Sequence, residues 1–343
     1  MSPPSPLAVA YLEPSRLDLQ GARWRAGVLG QVCYGGRSPT PEAADWPTAS
    51  IHTPRLDAPE DLCEVWLSAD PVTAGTAEGI AYRRTDDLLF GVVTEAEGVS
   101  GVGSAAPLQR AAERGYLRLF ALIDALGYPS LLRAWNYLAE INREERGVER
   151  YRQFNAGRQD AFLASGRSLS DGVPAACALG AAGQPMSIAF LAARRPGVAI
   201  ENPRQVSAFH YPAAYGPRSP TFSRATLFRL PGQEVLFLSG TASIGGHETR
   251  HSGDVGAQTR ETLANLQAVL EAANGAAQGP GFRPESLYLK VYLRDPGDLE
   301  AVRAVLTEAL GPGLRAVYLR ADICRADLLL EIETTAGLRI ETP

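Results

Sequence analysis

The apolar positions along this chain predict the same series of elements twice. Alternating apolar residues predict strands, and apolar residues three and four positions apart predict helices. In the first half the predicted elements are a hairpin (79–84 and 88–93), a helix (109–126), a strand (130–138), a polar helix (144–165) and a strand (187–193). Gly127 is expected to end the first of these helices.

The second half gives a matching series. Its predicted elements are a hairpin (225–230 and 235–240), a helix (258–273), a strand (287–293), a helix (298–310) and a last strand within 321–333. The chain is therefore predicted to be an α+β protein with two related β-β-α-β-α-β units that cover each other's sheets. Residues up to about 70 are expected to be irregular, with short strands at 8–12 and 63–67.

One connection differs between the two halves. Residues 241–254 join the second hairpin to its helix and carry glycines, hydroxyl groups, His247 and His251. Loops with such residues on a rigid scaffold often form binding sites, but the same composition also suits a solvated turn. Both interpretations stay open from this loop alone.

Composition and charge limit the classes of partner. The chain has 343 residues, of which 45% are hydrophobic, so it has enough apolar material for packed cores. Its formal net charge of -5 argues against a nucleic-acid or anionic-membrane partner. Lys290 is the only lysine, so a bound carboxylate is expected to meet arginine.

The cysteines and the N-terminus give expectations about chemistry and location. Cys33, Cys63, Cys177 and Cys324 follow no metal-binding spacing, so neither a disulfide framework nor a zinc site is expected. No cofactor is expected either. The first residues lack the basic and apolar regions of a signal peptide. No window reaches the roughly 18 apolar residues of a membrane span, and we expect a cytoplasmic protein.

One acidic residue in the last predicted strand is a candidate for chemistry. Glu331 follows Leu328-Leu329-Leu330 and precedes Ile332. Simple alternation would point its carboxylate to water, whereas a place in a pocket would raise its pKa by desolvation. The run of apolar neighbours does not decide between these alternatives.

Motifs in the C-terminal half resemble the YjgF/RidA-like superfamily, and motifs across the chain resemble the chorismatase family. The YjgF/RidA-like motifs are Ser239-Gly240, Asp254, Gln258-Thr259, 263–270, 290–293 and 331–333. The chorismatase-like motifs are 154–158, 201–208, 211–212, 215–225, 239–243 and 321–325. The first set keeps one order over about 110 residues, which makes it specific.

The resemblance implies an architecture and a reaction. It implies a degenerate YjgF/RidA-like N-terminal domain (1–200), a YjgF/RidA-like (chorismate-mutase-like) catalytic domain (201–343), no metal, and cleavage of chorismate to pyruvate and a ring acid. The family's catalytic acid matches Glu331 by motif. Simple deaminases of this superfamily hold a carboxylate with an arginine before the last strand, but Arg315 is one residue out of step here.

The chemistry of chorismate suggests further site residues. Its enol ether breaks after protonation of the terminal methylene, which a protonated Glu331 can supply. Two carboxylates need anchors, for which Arg158 and Arg224 are candidates, with Tyr215 as a hydroxyl donor. Thr241 and Ala242, in the glycine-rich loop, complete the predicted substrate-binding set.

Cys324 has two interpretations. It is a small core residue, or it lies in the site beside Glu331, which requires a kink because alternation puts positions 324 and 331 on opposite faces. Within chorismatases a cysteine here resembles the branch that forms hydroxybenzoate, and Ala242 is a second position that sorts the branches. We therefore predict 3-hydroxybenzoate, with 4-hydroxybenzoate as a second product.

Three other functions remain as alternatives. They are a hydrolytic chorismatase that forms 3,4-dihydroxycyclohexa-1,5-diene carboxylate, a deaminase-like protein that binds small metabolites, and an enamine or imine deaminase. Because two copies share one chain, we expect a monomer, whereas single-unit relatives must trimerise to complete their clefts.

Overall fold

The computed structural model describes residues 6–35, 45–98, 105–183 and 185–341. Its helices are α1 (Ala22–Ala26), α2 (Pro107–Ala125), α3 (Arg150–Ala164), α4 (Val255–Ala276) and α5 (Leu299–Leu310). The strands up to residue 200 are β1 (Leu7–Leu12), β2 (Val28–Tyr34), β3 (Thr48–Ile51), β4 (Leu62–Ser68), β5 (Thr73–Ala77), β6 (Ile80–Arg84), β7 (Leu88–Glu95), β8 (Ser130–Ala139), β9 (Glu144–Glu145), β10 (Val148–Glu149), β11 (Ala175–Ala181), β12 (Met186–Ala193) and β13 (Val198–Ile200). The later strands are β14 (Ala225–Leu230), β15 (Gln233–Thr241), β16 (Ile244–Gly245), β17 (Glu248–Thr249), β18 (Tyr288–Leu293), β19 (Arg315–Arg320), β20 (Leu330–Ala336) and β21 (Arg339–Glu341).

Two six-stranded sheets have the same topology. The first has the order β11-β8-β12-β7-β6-β5, and the second has the order β19-β18-β20-β15-β14-β13. In each sheet the terminal pair, β11 with β8 or β19 with β18, is parallel, and the other pairs are antiparallel. The predicted α+β fold of two related units is therefore confirmed.

Each six-stranded sheet contains two strands more than the sequence pattern predicts. One is the edge strand before the hairpin, β5 or β13, and the other, β11 or β19, lies between the second helix of a unit and its last strand. The sequence of β11 is Ala-Ala-Cys-Ala-Leu-Gly-Ala, which lacks the β-branched and aromatic residues that mark a strand. The local composition therefore gives no signal for β11, which its parallel pairing with β8 stabilises.

The last strand is shorter than predicted, because residues 321–329 are not a strand and β20 begins at Leu330. Arg294 accounts for this difference. Its Nε donates to Leu328 O at 3.0 Å, and its Nη2 donates to Ile323 O at 3.2 Å and Arg325 O at 2.9 Å. The guanidinium thus takes backbone acceptors that would otherwise pair across a sheet.

The first 70 residues also differ from the expectation. Instead of an irregular segment, β1 to β4 form a five-stranded sheet with β21, in the order β21-β1-β4-β2-β3. Cys33 and Cys63 lie opposite each other on β2 and β4 and form a disulfide, so the expectation that the chain has none is wrong. Their sequence separation of 30 gave no sign of this proximity. The domain boundary near residue 200 stays a prediction.

The core confirms how the two units pack. Helices α2 and α3 cover the outer face of the first sheet, and α4 and α5 cover the outer face of the second. The inner faces meet each other and the N-terminal sheet in one apolar cluster, which includes Trp66, Trp135 and Phe237. Each copy therefore covers the inner face of the other, as predicted.

Candidate active site

A cavity of about 380 Å³ lies between the start of α3 and the inner edge of the second sheet. That volume suits a small organic ligand. Its lining residues come from both units: Glu149, Tyr151, Arg152, Gln205, Tyr211, Tyr215, Pro220, Phe222, Arg224, Gly240, Ala242, Ile244, Thr249, Cys324, Arg325, Ala326, Asp327 and Glu331. Five of the seven predicted site residues are among them.

Glu331 is buried at the base of this cavity. Only 3% of its surface is exposed, and its Oε1 has no hydrogen-bond partner in the described part of the chain. Burial, with the nearby charge of Glu333, raises the pKa of Glu331 to about 8. Of the two alternatives for Glu331, the structure places its side chain in a pocket and not on a solvated face. The carboxyl group is thus mostly protonated at neutral pH.

Gly240 makes room for that carboxyl group. It lies near the end of β15, where the pairing with β20 shifts register between Leu238 and Thr241. A Cβ at Gly240 would overlap Glu331 Oε1 and would lie 3.2 Å from Cys177 Cβ. Glycine is therefore required for the observed position of Glu331.

Arg224 lies at the cavity wall, just before β14. Its Nη2 donates to Tyr211 Oη at 2.8 Å and to Val206 O at 3.0 Å, which holds the guanidinium in place. Its Nε is buried and has no partner among the residues that the structure describes. A ligand carboxylate would satisfy that donor.

Tyr215 lies beside a second arginine, Arg325, which is not among the predicted site residues. The Arg325 guanidinium lies 4.2 Å from the centre of the Tyr215 ring, and its Nη1 donates to His247 O at 2.9 Å. Tyr215 Oη lies 3.2 Å from His247 Nδ1. The available signal was the position of Arg325 directly after Cys324 in a family-like segment.

Cys324 and Ala242 both line the cavity. Because residues 321–329 are not a strand, Cys324 and Glu331 reach the same cavity without obeying alternation. Burial and the neighbouring Glu331 raise the pKa of the Cys324 thiol to about 12. The group at this position is therefore a neutral thiol and not a thiolate.

Arg158 and Thr241 do not line the cavity. Thr241 Oγ1 donates to Ser239 O at 2.9 Å, within its own strand. Arg158 is buried on α3, 5.0 Å from the ring centre of Phe154, and its Nη2 donates to Asn155 Oδ1 at 3.4 Å. Their role in substrate binding stays a prediction. Arg315 is exposed and donates to Ser286 O, which agrees with its shifted position in the motif.

A buried group of charges behind Glu331 was also missed. Glu333 forms ion pairs with Arg133 and Lys290, and Lys290 Nζ also lies 2.5 Å from Glu64 Oε2. Lys290 as the only lysine, and Glu333 two positions after Glu331, were the available signals. Arg133 and Glu64 gave none, because their proximity arises only when three sheets pack together.

Within the described ranges, no group of three or more His, Cys, Asp or Glu side chains is placed to hold a metal ion. No helix in those ranges is long and apolar enough to cross a membrane.

Comparisons with known proteins agree on one family. The family model described as "Chorismatase FkbO/Hyg5-like, N-terminal" matches residues 64–192. A "3-hydroxybenzoate synthase" of Streptomyces hygroscopicus is 39% identical over 89% of this chain and 90% of its own. A "Chorismatase" of Streptomyces rapamycinicus is 38% identical over 96% of this chain and 98% of its own. A crystal structure of a chorismatase covers 96% of this chain and 98% of its own, with 36% identity and a TM-score of 0.86.

Proposed function

Because this chain belongs to the chorismatase family, we propose that it cleaves the enolpyruvyl ether of chorismate to pyruvate and 3-hydroxybenzoate. The observation that carries this proposal is a buried, protonated carboxylic acid at the base of a cavity that arginines flank. An enol ether needs a proton donor for cleavage, and a dianionic substrate needs cations. The cavity supplies both.

Substrate binding falls to the guanidinium groups at the cavity wall. We propose that Arg224 donates its free Nε to one carboxylate of chorismate, while Arg325 and Tyr215 bind near the other. Arg224 is already oriented by Tyr211 and Val206, so little side-chain entropy is lost on binding. Arg158 and Thr241 remain proposals for a supporting role behind the cavity wall.

The first chemical step is protonation of carbon. Glu331 gives its proton to the terminal methylene of the enol ether, which becomes a methyl group. Positive charge then develops on the adjacent carbon and on the ether oxygen, and the new carboxylate of Glu331 stabilises that cation. General acid catalysis of this kind contributes about 10²- to 10⁴-fold to the rate.

The second step releases pyruvate and makes the ring aromatic. Chorismate has the same atoms as pyruvate plus hydroxybenzoate, so this route consumes no water overall. The oxygen of the 4-hydroxyl forms a bond to ring carbon 3 as the bond between that carbon and the ether oxygen breaks, so the ether oxygen leaves as the ketone oxygen of pyruvate. The bond from the 4-hydroxyl oxygen to ring carbon 4 then breaks, which leaves this oxygen as the hydroxyl at carbon 3, and the ring loses one proton overall as it becomes aromatic. The Glu331 carboxylate formed in the first step accepts that proton, which restores the acid for the next cycle.

Cys324 and Ala242 are proposed to shape the part of the cavity that faces the ring. The neutral thiol and the methyl group are small and weakly polar, so they disfavour an ordered water molecule that would attack the cation. Excluding this water directs the reaction to hydroxybenzoate and away from the dihydrodiol. We further propose a cytoplasmic monomer, in which the two domains meet near residue 200.

The test is to incubate the purified protein with chorismate in ¹⁸O-labelled water and analyse the products by mass spectrometry. We expect pyruvate and 3-hydroxybenzoate in equal amounts, with no label in the ring acid and little 4-hydroxybenzoate. Glu331→Gln serves as the control for contaminating activity. A ring acid heavier by one water as the main product would contradict the proposed product, and no pyruvate would contradict the function.

A further inference from the structure

A buried network of charges lies directly behind the catalytic acid. It joins Glu64 on β4, Arg133 on β8, and Lys290 and Glu333 on β18 and β20. All four side chains are almost completely buried. Buried charges cost several kcal/mol each unless they are well paired, so a network of this size at the centre of three sheets needs an explanation.

Glu333 is the centre of this network. Lys290 and Arg133 both form ion pairs with its carboxylate, and Tyr292 Oη donates to its Oε1 at 2.9 Å. Although burial opposes ionisation, the two cations lower the pKa of Glu333. A fixed negative charge therefore lies two residues from Glu331, on the same face of β20.

Lys290 connects this charge to the N-terminal sheet. Its Nζ donates to Tyr34 Oη at 3.0 Å and pairs with Glu64. Burial alone would lower the pKa of Lys290, but Glu333 and Glu64 raise it well above its usual range. The lysine is thus a permanent cation, which the N-terminal sheet helps to hold against Glu333.

We propose that Glu333 and Arg133 are positioning residues that set the protonation state of Glu331. The charge of Glu333 holds the proton on Glu331, and Arg133 limits how tightly it is held. The proposal rests on the proposed function of Glu331 as the acid. It gives residues of the N-terminal copy and the N-terminal sheet a part in the reaction although they do not touch the substrate.

Other charged or titratable groups also face Glu331 or its near surroundings. From the elements packed around it these are Glu333 on β20, Tyr292 on β18, Arg133 on β8, Cys177 on β11, Cys324 on the segment before β20, and Arg224 before β14. Burial raises the pKa of the Cys177 and Tyr292 side chains well above their usual values. Within this set, the charge of Glu333 raises the pKa of Glu331 and the charge of Arg133 lowers it.

Removing the negative charge of Glu333 and removing the positive charge of Arg133 should displace the pH profile of kcat/KM in opposite directions. Glu331 must be protonated to act, so kcat/KM falls as pH rises through its pKa. Without the negative charge, in Glu333→Gln, the proton is lost more easily and this fall moves to lower pH. Without the positive charge, in Arg133→Met, the fall moves to higher pH. Each displacement is expected to be about one pH unit.

The experiment measures kcat/KM for chorismate between about pH 6 and pH 10 in both variants. Glu95→Gln is the matched control, because Glu95 is also buried and pairs with two arginines, Arg114 and Arg118, on the far side of the first sheet. Its profile should coincide with that of the wild type. A merely structural network would lower activity or stability without displacing the profile.

Several outcomes decide the proposal. Opposite displacements support it, whereas an active enzyme whose profile stays in place in both variants overturns it. If Glu333→Gln does not fold, Arg133→Met decides alone, since Lys290 still pairs with Glu333 in that variant. If the wild type releases no pyruvate, the proposed function fails, and the same two displacements are then read from the infrared carbonyl band of Glu331 as a function of pH.

Discussion

The two copies of the fold have the same topology but different chemistry on their inner faces. Tyr292 pairs with Glu331 in the second sheet, and Tyr137 pairs with Ser187 in the first. The hydroxyls of these two tyrosines lie 3.4 Å apart, where the copies meet. When the tyrosines are aligned, Ser187 of the N-terminal copy takes the position of Glu331.

The next positions along the same strands differ in the same way. Lys290 pairs with Glu333 in the C-terminal copy, whereas Trp135 pairs with Ala189 in the N-terminal copy. The ion pair of the C-terminal copy thus corresponds to an apolar pair in the N-terminal copy. The difference teaches that the same fold accommodates an ion pair or an apolar pair at equivalent inner-face positions.

The N-terminal copy still contributes to the site. Tyr151 and Arg152, at the start of α3, line the cavity, and Arg133 reaches across to Glu333. Cys177 on β11 lies against Gly240. The N-terminal copy therefore forms part of the cavity wall and supplies a charged partner to Glu333 of the C-terminal copy.

The difference between the two copies is tested most strongly by changing the equivalent positions, Glu331 and Ser187, in turn. Glu331→Gln keeps the shape of the side chain but cannot give a proton, so we expect kcat for pyruvate release to fall about 10²- to 10⁴-fold. Ser187→Ala should leave kcat close to that of the wild type. Equal losses in both variants would show that the copies are not divided in this way. Circular dichroism checks that both variants fold.

A second prediction concerns the space that Glu331 occupies. Gly240→Ala puts a methyl group where the carboxyl oxygen lies, so the acid must move and kcat should fall about 10²-fold. Gly275→Ala on α4 is the control, because an added Cβ meets nothing within 4 Å there. That change should leave kinetics unaffected and slightly raise the melting temperature. Unchanged turnover in Gly240→Ala would mean that the acid is not held in the observed position.

A third prediction tests the carboxylate anchor. Arg224→Lys removes the planar fork, and an ammonium cannot replace both the Tyr211 contact and the free Nε donor, so KM for chorismate should rise about tenfold. Arg315→Lys, at an exposed position bound to Ser286 O, should leave KM unchanged. If the two variants have the same KM, the anchor lies elsewhere, with Arg325 as the next candidate.

The smallest expected effect is on stability. In the folded protein the pKa of Glu331 is about 8, above the ordinary value of 4.5, so the folded state binds an additional proton between these pH values. Its contribution to stability is complete at low pH and is lost as pH rises through that window. Glu331→Gln has no such loss. We expect its melting temperature to exceed that of the wild type by roughly 5 °C near pH 9 and to differ less at pH 5. A constant difference across pH would contradict the raised pKa.

Much of the fold follows from local patterns, and much of the site does not. Hairpins, helices and the order of both units follow from period and turn residues, such as Gly127, whose positive φ ends α2. The strand at β11 and the sheet before residue 70 were missed because neighbouring strands, not local composition, hold them in place.

The site residues also fall into two groups, those that a local sequence pattern indicates and those that it does not. Glu331, Arg224, Tyr215, Ala242 and Cys324 lie in motif-like segments and reach one cavity. Arg133 and Glu64 lie about 200 and 270 residues from Glu333 and carry no motif, so only the packing of three sheets reveals them. Long-range electrostatics of this kind is absent from any local pattern.

The central claim is that Glu331 carries a proton in the resting enzyme at neutral pH. The direct measurement is the infrared difference spectrum between the wild type and Glu331→Gln, recorded from below to above the pKa of about 8. We expect a carbonyl band of a protonated carboxylic acid in the wild type at pH 7, which the variant lacks and which disappears as pH rises through about 8. A wild-type spectrum in which Glu331 contributes only carboxylate bands at pH 7 would contradict the claim.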